Sequence, residues 1–413
     1  MKKKIAVVGA GISGIFSAWY AAKKGNQVEI FETSALPGGV LRENIVNHDL
    51  YSSGIQYLNN NESWFASLKK EFKKNDFKIF DVEYGSFTQL GVHKNISNNF
   101  PVMVFNTNSK LYTLDKNKKE NLRERIDSYP KDLSKNIINW SKRFKINLEN
   151  LEWNAADNGL NLGRIYIKNR EKELLILKKK NKFLDKLYGV PRNIAGFKKL
   201  QAALPVGGYN LFFKKFLKVL TEKYHVKLNF RTPVRTIYNR KKFSLFALGK
   251  ESKFDNIVWT ANPTSLIKNF LSSDLESVPL NVRVISFFLK NRVKNNFYAH
   301  VFSDKTSVIK FYVYNNKKKN ILYAECFDEK ESIFKIKREL NNLINKFNLK
   351  NLINSEVKID QIVKRYILTT KKDRNVLDKF YKKIKQTNLI HAGWDNYSRS
   401  DKIRILTNQI DSI

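Results

Sequence analysis

The sequence predicts an α/β fold that combines a βαβ unit at the N-terminus with an antiparallel sheet in the C-terminal half. Three observations predict it. A short apolar run at residues 5–8 is followed by three glycines, a helix-compatible segment and a second apolar run at residues 28–31. Four β-rich runs follow one another between residues 282 and 327. With 42% hydrophobic and 13% aromatic residues, the chain of 413 residues can bury a substantial core, which excludes a disordered chain.

A glycine motif of the dinucleotide-binding type follows the first strand. Residues 9–14 read GAGISG, a complete G-x-G-x-x-G between a strand and a helix. Gly9 permits a tight turn, Gly11 lets the backbone approach a pyrophosphate, and Gly14 lets the helix pack closely on the strand. The second strand ends at Glu32, near the expected distance of about 20 residues for an acid that binds a ribose. The stretch therefore predicts a dinucleotide site with its pyrophosphate at the helix N-terminus.

The N-terminal lysines allow a second interpretation. Lysines at residues 2–4, followed by an apolar stretch, imitate the start of a secretory signal peptide. Three glycines, Trp19 and Tyr20 make that stretch a poor hydrophobic segment, and no later run reaches the ~20 apolar residues that span a bilayer. We therefore expect a cytoplasmic protein without a transmembrane segment.

The charge and the rare residues limit the possible partners. The chain carries 76 basic and 38 acidic residues, but the basic residues are spread along its whole length without a nucleic-acid-binding motif. We therefore expect no nucleic-acid partner, and interpret the net charge of +38 either as a solvated surface or as a field that attracts an anionic substrate or cofactor. The lone Cys326 excludes an intrachain disulfide, and its setting favours a packed thiol over a nucleophile. The five histidines lack metal-ligand spacing, so we expect no metal.

The segment after Glu32 carries a more specific pattern. Gly38 and Gly39 allow close backbone approach and Arg42 offers a planar donor fork to phosphate, although an ordinary turn with a surface arginine is the alternative. An acid at the end of the second strand, followed by this Gly-Gly pair and arginine, resembles the extended fingerprint of two-domain flavoproteins. This superfamily contains amine oxidases, phytoene desaturases, protoporphyrinogen oxidases and UDP-galactopyranose mutases. The resemblance implies FAD as the cofactor.

Later segments resemble further elements of the same superfamily. Residues 49–58 resemble the turn that lies against the isoalloxazine ring, and residues 205–209 resemble the return of the chain to the FAD-binding domain. Residues 232–237 match a pattern in which a valine backbone binds the adenine edge, and residues 256–263 match a strand and turn near the pyrophosphate. Residues 389–395 resemble a strand that leads to a final helix whose N-terminus faces the flavin.

The resemblance implies a set of cofactor-binding residues. They are Gly9, Gly11, Ile12, Ser13, Gly14, Glu32, Thr33, Gly38, Gly39, Arg42, Gly54, Ile55, Val234, Ala261, Gly393 and Asp395. The last of them, Asp395, stands one place later than in the oxidases, and residues 397–401 resemble the tyrosine-rich stretch of the mutases more closely. The sequence therefore leaves the reaction type open.

The resemblance also implies a division into domains. The expected fold is a Rossmann-like FAD-binding domain with an interleaved α+β substrate domain that contains an antiparallel sheet. The FAD-binding domain would comprise residues 1–80, 201–270 and 385–413. The substrate domain would comprise residues 81–200 and 271–384.

The function implied by the resemblance is that of an FAD-dependent oxidoreductase acting on a small molecule. It would transfer a hydride from a C–N or C–C bond to the flavin. A mutase that uses reduced FAD on a sugar nucleotide is the alternative, and a non-catalytic flavin-binding scaffold or an NAD-only dehydrogenase fits less well. Arg164 could meet an anionic substrate or be incidental in a surface loop, and Arg283 falls near the place of a lysine found in many amine oxidases. The catalytic residues, the substrate and the oligomeric state do not follow.

Overall fold

The computed structural model comprises parallel and antiparallel sheets with helices on their faces. The described residues are 2–46, 49–52, 57–98, 100–111, 121–157, 160, 162–193, 200–291, 293, 295–315, 320–327, 330–349, 353, 356–392 and 399–413. The strands are β1 (Lys4–Val8), β2 (Gln27–Phe31), β3 (Glu43–Val46), β4 (Asp49–Ser52), β5 (Leu58–Asn59), β6 (Phe77–Thr88), β7 (Gly91–Lys94), β8 (Met103–Phe105), β9 (Ile165–Ile167), β10 (Gln201–Pro205), β11 (Lys227–Asn229), β12 (Arg235–Asn239), β13 (Lys242–Ala247), β14 (Lys250–Lys253), β15 (Asn256–Trp259), β16 (Val278–Phe288), β17 (Asn296–Val301), β18 (Val308–Asn315), β19 (Asn320–Cys326), β20 (Ile359–Leu368) and β21 (Leu389–Ile390).

The helices lie between and after these strands. They are α1 (Ile12–Lys23), α2 (Ser63–Lys69), α3 (Leu122–Asp127), α4 (Lys131–Ser141), α5 (Glu171–Lys180), α6 (Lys182–Tyr188), α7 (Gly208–Lys218), α8 (Thr264–Leu271), α9 (Ile333–Lys346), α10 (Lys371–Ile384) and α11 (Arg399–Asp411). Within the described ranges, no helix combines the length and the apolar character needed to cross a bilayer.

The predicted βαβ unit is part of a five-stranded parallel sheet. Its strand order is β11-β2-β1-β15-β21, so β1 lies at the centre and is paired on both sides. Alternate residues of β1 face opposite sides, as the strand period of two requires. Ile5 and Val7 pack with α1, α7 and α11, whereas Ala6 and Val8 pack with α8 and α10 on the other side. The parallel sheet is therefore covered on both faces, which fits the uninterrupted apolar run in its central strand β1.

The β-rich runs in the C-terminal half form the larger sheet. Its order is β20-β16-β19-β18-β17-β6-β10-β5, and β7 pairs with β6 at the side. Every pair is antiparallel except β17 with β6. Helix α9 packs on one face, where alternate apolar residues of β16 to β19 form a continuous core. The predicted α/β class, with a Rossmann-like sheet and an antiparallel sheet, is confirmed.

Three elements do not follow the predicted division into domains. Strands β5 and β10 lie within residues 1–80 and 201–270 but belong to the larger sheet. Helix α10 lies within residues 271–384, yet Leu377 and Phe380 pack on the parallel sheet. The amphipathic pattern of α10 allows either partner, because it specifies an apolar face and not the surface that covers it. The proposed domain boundaries stay a prediction.

Candidate functional site

The glycine loop connects β1 to α1 at the carboxyl edge of the parallel sheet. The Gly9 amide donates to the Phe31 carbonyl at 2.8 Å, and the φ of +101° at Gly9 is one that glycine adopts without strain. Helix α1 begins at Ile12, which is buried, and Ser13 follows with partial exposure. Gly11 is the N-cap without a side-chain cap, and the first turn holds no acidic residue. The N–H groups at this helix end are therefore suited to an anion.

The second glycine segment lies directly against the first. The Gly38 amide donates to the Ala10 carbonyl at 2.8 Å, and Gly38 forms an isolated parallel bridge with Gly11. A Cβ built on Gly39 would lie 3.3 Å from the Gly11 Cα. Arg42 follows, with its amide donating to the Gly39 carbonyl at 3.2 Å. The fold therefore combines the two glycine segments into one backbone cradle.

Glu32 lies at the rim of this cradle. Its Oε2 accepts a hydrogen bond from the Ala10 amide at 2.7 Å, and its Oε1 accepts one from the Ser34 amide at 2.8 Å. Thr33, between these residues, is exposed. A carboxylate can accept about four hydrogen bonds, so Glu32 retains acceptor sites for ribose hydroxyls.

The loop between β11 and β12 runs beside the end of β2. The Arg231 amide donates to the Ser34 carbonyl at 3.2 Å, and the Thr232 amide donates to the Glu32 carbonyl at 2.9 Å. Val234 comes two residues later and is partly buried against the core that covers the α8 and α10 side of the sheet. The predicted adenine-binding segment and the predicted ribose-binding acid are thus neighbours.

The turn after β15 contacts the glycine loop from the other side. A Cβ built on Gly9 would lie 3.2 Å from the Ala261 nitrogen and 2.8 Å from the Thr260 Oγ1. The Thr260 hydroxyl donates to the Val8 carbonyl at 2.9 Å. Sequence reasoning identified Ala261 but missed Thr260, because its role depends on the pairing of β15 with β1.

Gly11 provides the test of whether a dinucleotide fits the cradle. Its φ of −70° is ordinary, and a Cβ built on it would meet nothing within 4 Å. Gly14 differs, because a Cβ there would lie 1.9 Å from the Gly9 carbonyl oxygen. Neither backbone conformation nor packing within the described residues explains a glycine at position 11. Close approach of a ligand to the backbone does explain it, so the residues fit the predicted pyrophosphate.

Four predicted flavin-binding residues lie outside the described part of the chain. They are Gly54, Ile55, Gly393 and Asp395. The residues that directly follow the undescribed stretches 53–56 and 393–398 contact each other. The Arg399 Nη1 donates a hydrogen bond to the Tyr57 carbonyl at 3.1 Å. Tyr57 and Arg399, which border the undescribed residues 53–56 and 393–398, are therefore neighbours in the fold.

One face of the larger sheet carries a row of four tyrosines across adjacent strands. The register of strands β6, β17, β18 and β19 places Tyr84 opposite Tyr298, Tyr298 opposite Tyr312, and Tyr312 opposite Tyr323. We call these four residues the tyrosine row. Tyr57 lies against it, since its hydroxyl is 2.9 Å from the Tyr84 hydroxyl and its ring centroid is 6.1 Å from that of Tyr312. Burial raises the pKa of both Tyr57 and Tyr84, so these hydroxyls stay neutral.

A second row of polar residues lies next to the tyrosine row on the same face. Ser86, His300, Lys310 and Glu325 are paired in register across four strands, each two positions from a tyrosine. We call them the polar row. Lys310 Nζ and Glu325 Oε2 form an ion pair at 3.1 Å with side chains only 10% and 3% exposed. His300 Nε2 is 2.7 Å from the Tyr298 hydroxyl, and burial together with the charges of Lys310 and Arg164 holds the pKa of His300 well below its usual value.

Sequence reasoning missed both rows, although their strands were predicted. Tyr298 and His300, or Lys310 and Tyr312, alternate with apolar residues at strand spacing. This alternation is the signal that could have identified a polar face. Which strands are neighbours, and hence which residues align, is decided only by the sheet order.

Two residues weighed from the sequence lie on the opposite face of the sheet. Arg283 is paired in register with Cys326, and Cys326 belongs to the apolar core beneath α9. The Arg283 guanidinium donates two hydrogen bonds to the Asp360 carboxylate, from Nε to Oδ1 and from Nη2 to Oδ2, each at 2.7 Å. Burial raises the pKa of the Cys326 thiol, which suits a packed side chain and not a nucleophile. Neither residue faces the two rows.

We expect His300 to make the fold less stable in mild acid. Because its pKa is lowered in the fold, the unfolded chain binds a proton near pH 6.5 that the folded chain does not. The free energy of unfolding should therefore fall as the pH drops below that value. Between pH 7.5 and 5.5 this single group contributes a loss of about 1.4 kcal/mol.

Urea unfolding of the wild type and of His300→Gln at both pH values measures this loss. Glutamine does not titrate and can still bond to the Tyr298 hydroxyl. The decline in stability between the two pH values should be smaller in the variant by about 1.4 kcal/mol. Equal declines in both proteins would show that His300 has the same pKa in the folded and in the unfolded chain.

Comparisons with known proteins agree with this geometry. Residues 7–71 match the model of the NAD(P)-binding Rossmann-like domain family. Achacin from Lissachatina fulica is 42% identical over 85 residues, and L-amino acid oxidase from Bothrops pictus is 30% identical over 94 residues. These matches cover 20% and 21% of this chain, and only 16% of the length of each relative.

Solved structures resemble the chain over its whole length. The structure of reduced UDP-galactopyranose mutase has a TM-score of 0.66 at 12% identity, and the match covers 100% of this chain and 93% of that one. Wild-type putrescine oxidase bound to putrescine has a TM-score of 0.53 at 13% identity, with 100% and 99% covered. These likenesses show that the chain has the fold of these structures. The fold that the resemblance of the glycine segments implied is thereby confirmed.

Proposed function

We propose that the protein is an FAD-dependent oxidoreductase of the amine oxidase-like kind, which removes a hydride from a C–N or C–C bond of a small molecule. The observation that carries the proposal is the open space at Gly11. Gly11 lies in a backbone cradle whose neighbouring segments resemble the cofactor-binding segments of flavoproteins. The sequence relatives named achacin and L-amino acid oxidase match 85 and 94 residues of the chain. This favours an oxidase over the mutase-like alternative. The chain resembles the mutase structure in fold, but the two sequences are only 12% identical.

The residues of the cradle have distinct binding roles in this proposal. Glu32 accepts hydrogen bonds from the adenosine ribose, and the N–H groups at the start of α1 donate to the pyrophosphate. Gly38, Gly39 and Arg42 extend the phosphate-binding surface, where the arginine contributes a positive charge. The remaining predicted contacts, from Thr33, Val234 and Ala261 to the four residues outside the described part, follow the resemblance.

The tyrosine and polar rows form the substrate side of the site. Bound FAD supplies the electron acceptor, and the protein supplies orientation and exclusion of water. Buried aromatic side chains keep water away from the reacting bond, while the neutral hydroxyls and imidazole can orient a substrate by hydrogen bonds. The substrate is a small molecule, for which we propose an anionic group. A cytoplasmic location and the absence of a nucleic-acid partner stay predictions from the sequence.

An absorption spectrum of the purified protein, before and after dithionite under argon, tests the proposal. We expect flavin bands that bleach on reduction and return with oxygen or another acceptor. The reduced and the oxidised samples are then each incubated with UDP-galactopyranose. Turnover by the reduced sample alone would establish the mutase-like alternative, and a colourless protein that takes up no added FAD would contradict both.

A further inference from the structure

The small sheet formed by β12, β13 and β14 packs on the core with one of its faces only. The central strand β13 turns Phe243 and Leu245 toward the core that also includes α8 and α10. Because side chains alternate along a strand, Phe246 points to the other side, together with the residues paired to it in register. We call this other side the outer face. Its exposed or partly exposed residues are Arg235, Ile237, Lys242, Phe246, Glu251 and Lys253.

Basic residues surround the outer face without compensating acids. Six of them lie between residues 235 and 253, all exposed, and the one acid in this stretch is Glu251. The bases are Arg235, Arg240, Lys241, Lys242, Lys250 and Lys253. Within the described ranges, no residue forms an ion pair with any of the six. Glu251 accepts a hydrogen bond from the Ser244 Oγ at 2.5 Å. The small sheet therefore presents a positive field to an anionic partner.

Both hairpin turns of the small sheet place residues with a Cβ in the left-handed region. Arg240 and Lys241 connect β12 to β13 with φ of +48° and +64°. Leu248 and Gly249 connect β13 to β14 with φ of +50° and +77°. Two-residue hairpin turns favour asparagine and glycine at such positions, because a Cβ is unfavourable there. Backbone conformation therefore does not explain two bases and a leucine in these turns.

Leu248 is not explained by packing either. Among the described large hydrophobic residues it has the largest exposed fraction, 83%. Single exposed leucines are ordinary on protein surfaces, but this one also occupies an unfavourable backbone position. Ile237 and Phe246, on the outer face, belong to none of the apolar cores of the described residues. A partner that buries apolar side chains and carries negative charge would explain the whole surface.

A membrane surface with anionic lipids fits these features best. Lysine is a flexible point charge, which suits a layer of headgroups better than the fixed contours of a protein partner. Apolar side chains beside such bases enter the boundary between headgroups and acyl chains. Nucleic acid fits less well, because the Arg235 guanidinium covers the Phe246 ring that would stack on a base, with 4.2 Å from Cζ to the ring centroid.

We propose that the outer face of β12–β14 and its two turns dock the protein on a membrane that contains anionic lipids, with Leu248 entering the interface. The inference goes beyond the proposed function and does not depend on it, because the docking residues are not those assigned to the flavin.

Cosedimentation of the purified protein with lipid vesicles tests the docking. The vesicles consist of phosphatidylcholine alone or with about 30% phosphatidylserine, in about 0.1 M and about 0.5 M NaCl. We expect binding to the phosphatidylserine vesicles at the lower salt concentration, and much weaker binding at the higher one or to phosphatidylcholine alone. Combined replacement Lys241→Gln, Lys242→Gln and Lys253→Gln should weaken binding at least about 30-fold, since each base near the surface contributes about fivefold.

Helix α5 provides a matched control for the loss of charge. Lys172, Lys179 and Lys180 are exposed, and no described residue forms an ion pair with them. Their combined replacement by glutamine changes the net charge by the same amount as the variant of the small sheet. Because these lysines lie away from the outer face, we expect binding to weaken by no more than about threefold.

Leu248→Asn separates docking from a structural role of the leucine. Asparagine tolerates the left-handed region, so the thermal midpoint should equal or exceed that of the wild type. Binding to the phosphatidylserine vesicles should nonetheless weaken about three- to tenfold. Leu90, 44% exposed in the two-residue turn between β6 and β7, is the matched control. Leu90→Asn should bind like the wild type.

Each outcome decides the inference. It is overturned if the protein does not bind phosphatidylserine vesicles at the lower salt concentration, or if Leu248→Asn binds them like the wild type. Equal losses in the two triple-lysine variants would assign the binding to overall charge and also overturn it. A single-stranded oligonucleotide or poly-L-glutamate that binds in place of the vesicles, and is lost in the variant of the small sheet, would assign the outer face to nucleic acid or to an acidic protein.

Discussion

Gly11→Val should yield a folded protein that does not bind FAD. The Cβ of residue 11 meets no protein atom within 4 Å, and the backbone there has an ordinary φ, so a side chain fits the fold. The same side chain would occupy the space through which the pyrophosphate approaches the backbone. We expect flavin affinity to fall at least about 100-fold, the effect of losing several hydrogen bonds to a charged group.

Two measurements separate this effect from simple unfolding. The urea midpoint of the flavin-free variant should be close to that of the flavin-free wild type, because replacing glycine at an N-cap costs only about 1 kcal/mol. Flavin content after purification and titration with FAD then report binding. Gly11→Ala, which adds the Cβ alone, should show an intermediate loss. Full flavin content in Gly11→Val would show that the pyrophosphate does not approach this part of the loop.

Gly14→Ala should have the opposite phenotype and destabilise the protein itself. Its Cβ would lie 1.9 Å from the Gly9 carbonyl oxygen and 2.7 Å from the Thr260 Oγ1. The hydroxyl is held by its bond to Val8, and the carbonyl belongs to the turn between β1 and α1. Alanine favours a helix by up to 1 kcal/mol, but the clash should outweigh this and cost roughly 3 kcal/mol, the upper part of the overpacking range.

Urea unfolding of the flavin-free protein measures the cost at Gly14. The comparison with Gly11→Ala is matched, because both variants add one methyl group within the same loop and helix start. A large fall in midpoint for Gly14→Ala alone would assign a packing role to Gly14 and a ligand role to Gly11. Unchanged stability in Gly14→Ala would mean that α1 can move away from β1 without loss.

The sequence was informative where function depends on local backbone geometry. The G-x-G-x-x-G, the acid at the end of the second strand and the Gly38-Gly39 pair are contiguous patterns, and the structure places them in one cradle. Their spacing is set by a strand, a turn and a helix, which are local structures. The same holds for the β-rich runs, whose alternation predicted strands close to those observed.

Local patterns could not assign partners to elements. Helix α10 was expected to follow the second domain, but its apolar face covers the parallel sheet. Arg283 was weighed as a residue near the flavin, but the strand period turns it toward Asp360 on the other face. In both cases the sequence determined which residues share one face of the helix or strand. Only the tertiary structure determined which part of the molecule packs against that face.

By itself, the sequence determined the α/β class, the nucleotide cradle and the superfamily resemblance. Only the tertiary structure decided that Tyr84, Tyr298, Tyr312 and Tyr323 form one row beside a buried ion pair. The physical reason is the separation along the chain of the residues that make contact. A glycine loop is specified by dihedral angles within a few residues, whereas the tyrosine row depends on the pairing of strands far apart in the chain.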